Sequence, residues 1–314
     1  MNRRHLFFIL KLMLTTVLLI AVINYVDLAM VWERIQSVNP LWLIASLSCL
    51  VVGYVMCGLR WAWIAEGLGI EVSKRQKIRL YFLGMFASLF LPSTIGGDVI
   101  RGVLLAKSEG RKGMGVVAGA SVILDRVNGM YALLLLLTFS MLFFEWPLIW
   151  WVTWSSIVAA AWLGMLLYPM IDRHLVGRLP EKLEKLKALP LMEKRFRKKW
   201  WQSLPVSFLF QILIVQAHVF LGMAVGLEMS WFAFSIMVGL VALVATLPIS
   251  LNGFGVREAG YVSFAVYFGA SGDAATAMAA LWIIVLGVAS LPGALVLWRL
   301  GGLGTIRGKN TKSS

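Results

Sequence analysis

LPSTIGGDVIR, Leu91 to Arg101, has a near copy 156 residues further on in LPISLNGFGVR, Leu247 to Arg257. Aligned without gaps, the two share an opening Leu-Pro, Thr or Ser at the fourth position, Ile or Leu at the fifth, Gly at the seventh and a closing Ile-Arg or Val-Arg. Each lies in an apolar segment, roughly 80–106 and 231–270, that its own Pro and Gly interrupt. Interrupted backbone at membrane depth is tolerated only where protein or a wet cavity surrounds it. A chain that contains it twice calls for a fold built on two broken helices.

The surrounding composition supports a membrane setting. The 314 residues are 60% hydrophobic and 14% charged, with a mean hydropathy of +0.83, and several apolar runs reach the length of a bilayer crossing. That excludes an ordinary soluble domain. Six crossings are read at 6–26, 41–65, 114–142, 147–168, 203–227 and 274–298. The first follows a basic start and resembles a signal peptide, but it is about twenty residues long and no small-residue cleavage site follows, so a retained helix is expected. Cys49 and Cys57 share one apolar run and read as inert buried thiols, with no disulfide framework or cysteine metal site.

The net charge of +14 would suggest nucleic acid in a soluble protein, but here it follows the loops. Of 29 Lys and Arg, 24 fall at the start, in 74–79, in 107–112, in 173–199 and at the end, all on one side if six crossings are right. The opposite loops carry Asp27, Glu33, Glu145, Glu228 and Asp273 against a single Arg34. The positive-inside rule then places both termini in the cytoplasm, with the inner membrane as the expected location. No nucleic-acid partner is expected. Within the basic cytoplasmic connector at about 172–201, Arg178 to Lys199 reads as a helix lying on the anionic inner leaflet. The tryptophans Trp146, Trp150, Trp151 and Trp154 read as an interfacial belt.

Basic clusters flank 80–106 on both sides, so this segment enters from the cytoplasm and returns there. Twenty-seven residues at about 1.5 Å each cannot cross a core of about 30 Å twice. A re-entrant broken-helix hairpin is expected, its tip near Pro92 to Gly97. The segment around the second motif is flanked by Glu228 and Asp273 and enters from the opposite face. Shifting 41–65 and 114–142 by 156 gives 197–221 and 270–298, close to two later crossings. The expected fold is therefore all-α, a polytopic helical membrane protein of about six full spans plus two re-entrant hairpins arranged as inverted-topology repeats. One membrane domain would occupy 1–314, with repeats at about 41–142 and 203–298. Independent origin of two Pro-Gly motifs is the weaker alternative.

Ionisable groups at membrane depth are costly and point to function. Pro92, Gly96 and Gly97 break the first segment, and Asp98 and Arg101 follow. Pro248, Asn252, Gly253 and Gly255 break the second, and Arg257 and Glu258 follow. Helix starts at such breaks offer N–H groups to an anion, and arginine suits a phosphate held by two parallel bonds. The bland reading has Asp98 with Arg101, and Glu258 with Arg257, only neutralising each other; a mixed case has the carboxylates orienting arginines that hold a phosphate. Asp125 and Arg126 lie a third of the way along their span, either as an ion pair reaching the inner interface or as part of the site. Arg60, near a cytoplasmic helix end, can snorkel to headgroups with no special role. His218 reads as a hydrogen-bonded packing residue.

At these residues the chain resembles the flippase-like integral-membrane family defined by the transmembrane region of lysylphosphatidylglycerol synthases. A Pro-x-x-x-Gly-Gly-Asp-x-x-Arg element of that family is matched by Pro92, Gly96, Gly97, Asp98 and Arg101. Its acidic-Arg pair, normally Glu-Arg, is here Asp125-Arg126, and a late Pro-x-x-x-x-Gly-x-Gly-x-x-Glu element is matched by Pro248, Gly253, Gly255 and Glu258. The resemblance implies movement of a lipid, often with an anionic or modified headgroup, between leaflets. Sixteen residues after Trp298 leave no expected room for an appended synthase domain, so aminoacylation of the lipid does not follow.

The sequence thus leads to translocation of a phospholipid or polyprenyl-linked glycolipid with its phosphate on Arg101 and Arg257, oriented by Asp98 and Glu258, and with Asp125 and Arg126 as further site residues. No enzymatic activity, cofactor or metal is expected: no Walker, zinc or nucleophile-elbow spacing occurs in credible context. A membrane lipid with an anionic or phosphate headgroup is the expected partner, with homo-oligomerisation left open. An ion-coupled transporter of a small soluble anion, or a membrane transferase using Asp98 or Asp125 as base, are the alternatives.

Overall fold

The computed structural model of the protein describes residues 3–91, 95–111, 113–175, 189–191, 193–247, 250 and 253–300, and side chains within these except at 3–8, 11 and 165–175. Pro92, Pro248, Asn252 and most of the connector before residue 189 lie outside the described residues.

Among the described residues the chain is helical, with no strand. In order it forms α1 (Arg3–Tyr25), α2 (Leu28–Gln36), α3 (Pro40–Gly67), α4 (Lys74–Phe90), α5 (Gly96–Glu109), α6 (Met114–Met141), α7 (Leu148–Leu175), α8 (Lys194–Val225), α9 (Trp231–Thr246), α10 (Val256–Tyr267) and α11 (Gly272–Arg299). Four of these, α3, α6, α8 and α11, are long and apolar enough to cross a membrane. At 28 residues or more and 1.5 Å per residue, each reaches at least about 42 Å, enough for a core of about 30 Å.

Among the described residues, with the bent pair α1–α2 taken as one span, five candidate crossings stand beside the six expected. The first apolar helix turns through 85° between Leu12–Tyr25 and Leu28–Gln36, so that the pair counts at most as one bent span. Asp27 sits at this corner, its carboxylate accepting the Ala29 and Met30 N–H groups that a helix start leaves open. α7 is helical over 28 residues, as expected for the crossing read at 147–168, and the side chains of its last eleven residues lie outside the described ones.

The pairs α4–α5 and α9–α10 surround the two motifs. Their members have 17, 14, 16 and 12 residues, at most about 26 Å each, so none crosses alone. Adding 156 to the bounds of α3, α4, α5 and α6 gives 196–223, 230–246, 252–265 and 270–297. The observed α8 to α11 cover 194–225, 231–246, 256–267 and 272–299. The same four-helix order recurs with boundaries displaced by no more than four residues.

The basic stretch expected as a separate helix on the inner leaflet is, from Lys194 on, the first two turns of α8. No breaker separates Lys199 from Ser203, and Pro205 is absorbed further along the helix. Phe196 and Trp200 are buried with Ile64 and Leu68, while Lys194, Arg195, Arg197 and Lys198 are exposed.

The chain packs as two compact units. One contains 1–54, 79–101 and 212–314, and thus both breaks; the other contains 55–78 and 102–211. In the first unit, α10 packs on α1, α9 and α11, and α2 on α11. His218 of α8 is buried there as a packing residue, its Nδ1 2.8 Å from Ile214 O, its Nε2 2.8 Å from the Tyr261 hydroxyl and its ring 4.0 Å from that of Trp282. α11 crosses α4 closely: a Cβ on Gly293 would overlap the Phe82 carbonyl oxygen. In the second unit, α6 packs on α7, where Trp154 donates to Thr138 Oγ1 at 3.0 Å.

Candidate functional site

The first break is built on space. Gly97, at the start of α5, lies so close to α4 that a Cβ there would overlap Gly84 O and Ser88 Oγ, and a Cβ on Gly96 would lie 2.6 Å from Leu91. This contact fixes the first turn of α5 against α4 and sets the direction of the residues that follow. Asp98 and Arg101 are three apart on α5 and so share a face. The Arg101 Nε–H donates to Asp98 Oδ1 at 2.9 Å, and the guanidinium lies 4.9 Å from the centre of the Tyr81 ring of α4. Arg101 is buried at 3% exposure, whereas the Asp98 side chain retains 14%. A guanidinium held by a carboxylate below and a ring face beside it is fixed in orientation before any ligand arrives.

The second break is built on backbone conformation. Gly253 and Gly255 have φ of 81° and 78°, which residues with a Cβ rarely adopt. Gly255 also abuts α1, where a Cβ would lie 2.9 Å from Thr15 O. α10 begins at the next residue, and Glu258 accepts the Gly255 N–H through Oε2 at 2.6 Å. A carboxylate of the chain itself thus occupies the anion-favouring position at this helix start.

The expected orientation of Arg257 by Glu258 is not what the chain forms. No ion pair joins them among the described residues: Glu258 turns to its own helix start, and Arg257 lies with Nη2 3.4 Å from where a Gly253 Cβ would be. The cause is helical geometry. Neighbours in sequence diverge by about 100° around a helix, while residues three apart align. The repeat is consistent with this difference, since Arg101 and Arg257 are equivalent under the 156-residue shift but Asp98 corresponds to Phe254 and Glu258 to Gly102.

Asp125 and Arg126, adjacent on α6, differ in burial. Asp125 is buried at 1% exposure, and Arg126 is exposed. Asp125 pairs with Arg60 of α3, whose Nε donates to Oδ1 at 2.7 Å, so that Arg60 is buried and not at the headgroups as its position had suggested. Around this pair, Arg60 Nη1 donates to Ser207 Oγ at 3.2 Å, Ser207 donates to Asn128 Oδ1 at 2.5 Å, and Gln211 donates to Gly129 O at 3.1 Å. Three long helices, α3, α6 and α8, are joined by one polar network in the second unit. Ser207, Asn128 and Gln211 had no signal of their own in the sequence beyond being polar residues on apolar helices.

Bilayer-length apolar helices and an ionisable cluster on each of two short, broken pairs define a multi-pass helical membrane protein. The chain belongs to the family described as the lysylphosphatidylglycerol synthase TM region, whose profile matches residues 8–293. Comparison with curated proteins found no match. Membership places the protein among membrane proteins of the lipid-modifying or flippase-like kind.

Proposed function

We propose that the protein moves a phospholipid or polyprenyl-linked glycolipid between leaflets, with the headgroup phosphate bound by Arg101 and Arg257 at the two breaks, and leaves the lipid chemically unchanged. The observation that carries this reading is Arg101 itself: a buried guanidinium on a helix too short to span, oriented by Asp98 and Tyr81. An arginine kept at such a depth is expensive and is retained for a ligand or a path. Its equivalence with Arg257 in the repeat supports a phosphate contacted from both breaks.

Arg101 is enclosed here, so a headgroup reaches it only when the first hairpin moves. The expected motion is exchange of the two hairpins between inward and outward access, each entering the membrane from its own face as inverted repeats do. Both termini would lie on the cytoplasmic side of the inner membrane, where 24 basic residues gather toward anionic headgroups. Leaflet exchange of fluorescent lipids in proteoliposomes, with a soluble anion as competitor, tests this. Exchange that Arg101→Ala lowers at least about tenfold supports it; transport of the soluble anion with no lipid movement refutes it.

A further inference from the structure

α1 runs along the start of α10. Among the described residues it packs there through one stripe: Thr15, Val22 and Val26 are buried, while Met13, Val17 and Ile20 on its other faces are exposed. At one end of the stripe the backbones almost touch. A Cβ on Gly255, the residue before α10, would lie 2.9 Å from Thr15 O and 3.1 Å from Leu18 Cβ. At the other end Tyr25 and Val262 meet on α11, 3.2 and 3.5 Å from where a Gly272 Cβ would be. Leu18 lies beside Gly255 and Tyr25 near Val262, seven residues on in each helix, so α1 and α10 run parallel. α1 thus covers the backbone at the start of α10, two residues before Arg257.

The corner beyond α1 is anchored by polar bonds. Between Tyr25, which ends α1, and Leu28, which begins α2, the chain turns through 85°. There the Asp27 N–H donates to Asp273 Oδ1 of α11 at 2.9 Å, and further along α2 Arg34 Nη1 donates to Val225 O at 2.6 Å. α2 also packs on α11. An apolar helix gains little in a bilayer by touching another, because acyl chains are as apolar as its own side chains; close approach at small residues is what holds such pairs. On α1 that approach is the contact with Gly255. We propose that α1 is a side gate over the second break. It swings about the joint at Val26 and Asp27 while α2 stays on α11, and in leaving Gly255 it opens the start of α10 to a lipid headgroup whose chains remain in the membrane. The lipid entry rests on the translocation reading; the swing does not. The two breaks then open differently, the first by movement of its own hairpin and the second by departure of a neighbouring helix.

The test uses the full-length protein in phospholipid bilayers, with Cys49→Ala and Cys57→Ala so that introduced thiols react alone. Spin labels on Val17→Cys of α1 and Ile284→Cys of α11, both exposed positions, report the swing by pulsed electron paramagnetic resonance. Two distance populations are expected, one matching the closed arrangement and one longer. Val22→Cys with Ala259→Cys, each four residues on from the contact of Leu18 with Gly255, places a thiol pair across the gate. Joining them with a short, cleavable thiol crosslinker should stop leaflet exchange of a fluorescent phospholipid, and cleavage should restore it. A single narrow distance, or exchange undiminished by the crosslink, overturns the gate. Because the distance measurement requires no lipid movement, two populations beside an absence of leaflet exchange with any headgroup would refute translocation and leave the swing standing.

Discussion

Arg60 Nε donates to Asp125 Oδ1 at 2.7 Å, with the two side chains 6% and 2% exposed. The pair links α3 to α6, and through Ser207 and Asn128 it reaches α8. Removing one member of a buried ion pair leaves an uncompensated charge, which costs about 3–5 kcal/mol, whereas replacing both by apolar residues of similar size is often near neutral. Asp125→Ala should therefore lower thermal stability sharply, and the double variant Arg60→Met, Asp125→Leu should recover most of the loss. Melting curves of the single and double variants check this, and equal losses in both would contradict it.

Gly97 leaves no room for a side chain at the crossing of α5 over α4. Gly97→Ala should cost about 1–3 kcal/mol or more through forced separation of the hairpin. Gly119, on α6, has nothing within 4 Å of its would-be Cβ, so Gly119→Ala should be neutral or stabilising by up to about 1 kcal/mol. Limited proteolysis near residue 91 and the yield of folded protein separate the two.

Glu109, the last residue of α5, ties down the turn after α3. It accepts the Glu71 and Val72 N–H groups at 2.9 and 3.1 Å and pairs with Arg111. Burial alone would raise its pKa, but the Arg111 hydrogen bond and charge and the two N–H donors outweigh this and hold it below the usual glutamate value. The folded form then binds fewer protons than the unfolded one, so stability rises with pH. This contribution is complete above the ordinary glutamate pKa of about 4.3 and is lost as pH falls through the depressed folded value. Glu109→Gln should flatten that acid limb of a plot of Tm against pH; an unchanged limb would show that Glu109 is not its source.

Much of the fold was legible because the controlling signals are local. Apolar length gave α3 as 41–65 against 40–67 and α6 as 114–142 against 114–141, and the motif offset anticipated the four-helix register. The end of the first span at residue 26 was legible, but the short helix α2 was not, because Asp27 and Glu33 read as loop charges while Asp27 in fact caps a helix start. The site was legible where spacing carries geometry. Asp98 and Arg101, three apart, do meet; Arg257 and Glu258, adjacent in sequence, form no ion pair among the described residues. Helical periodicity alone would have separated these cases. Pairing of Arg60 with Asp125, 65 residues away, depends on how α3 lies against α6, which a single sequence does not encode locally.

The most direct test of lipid translocation is leaflet exchange in proteoliposomes carrying fluorescent lipids of several headgroups, with wild type beside Arg101→Ala, Arg257→Ala and the double variant. We predict protein-dependent exchange of a phosphate-bearing lipid, lowered at least about tenfold, some 1.4 kcal/mol of barrier, by each single change and abolished by both. Exchange at the wild-type rate in the folded double variant would contradict the account.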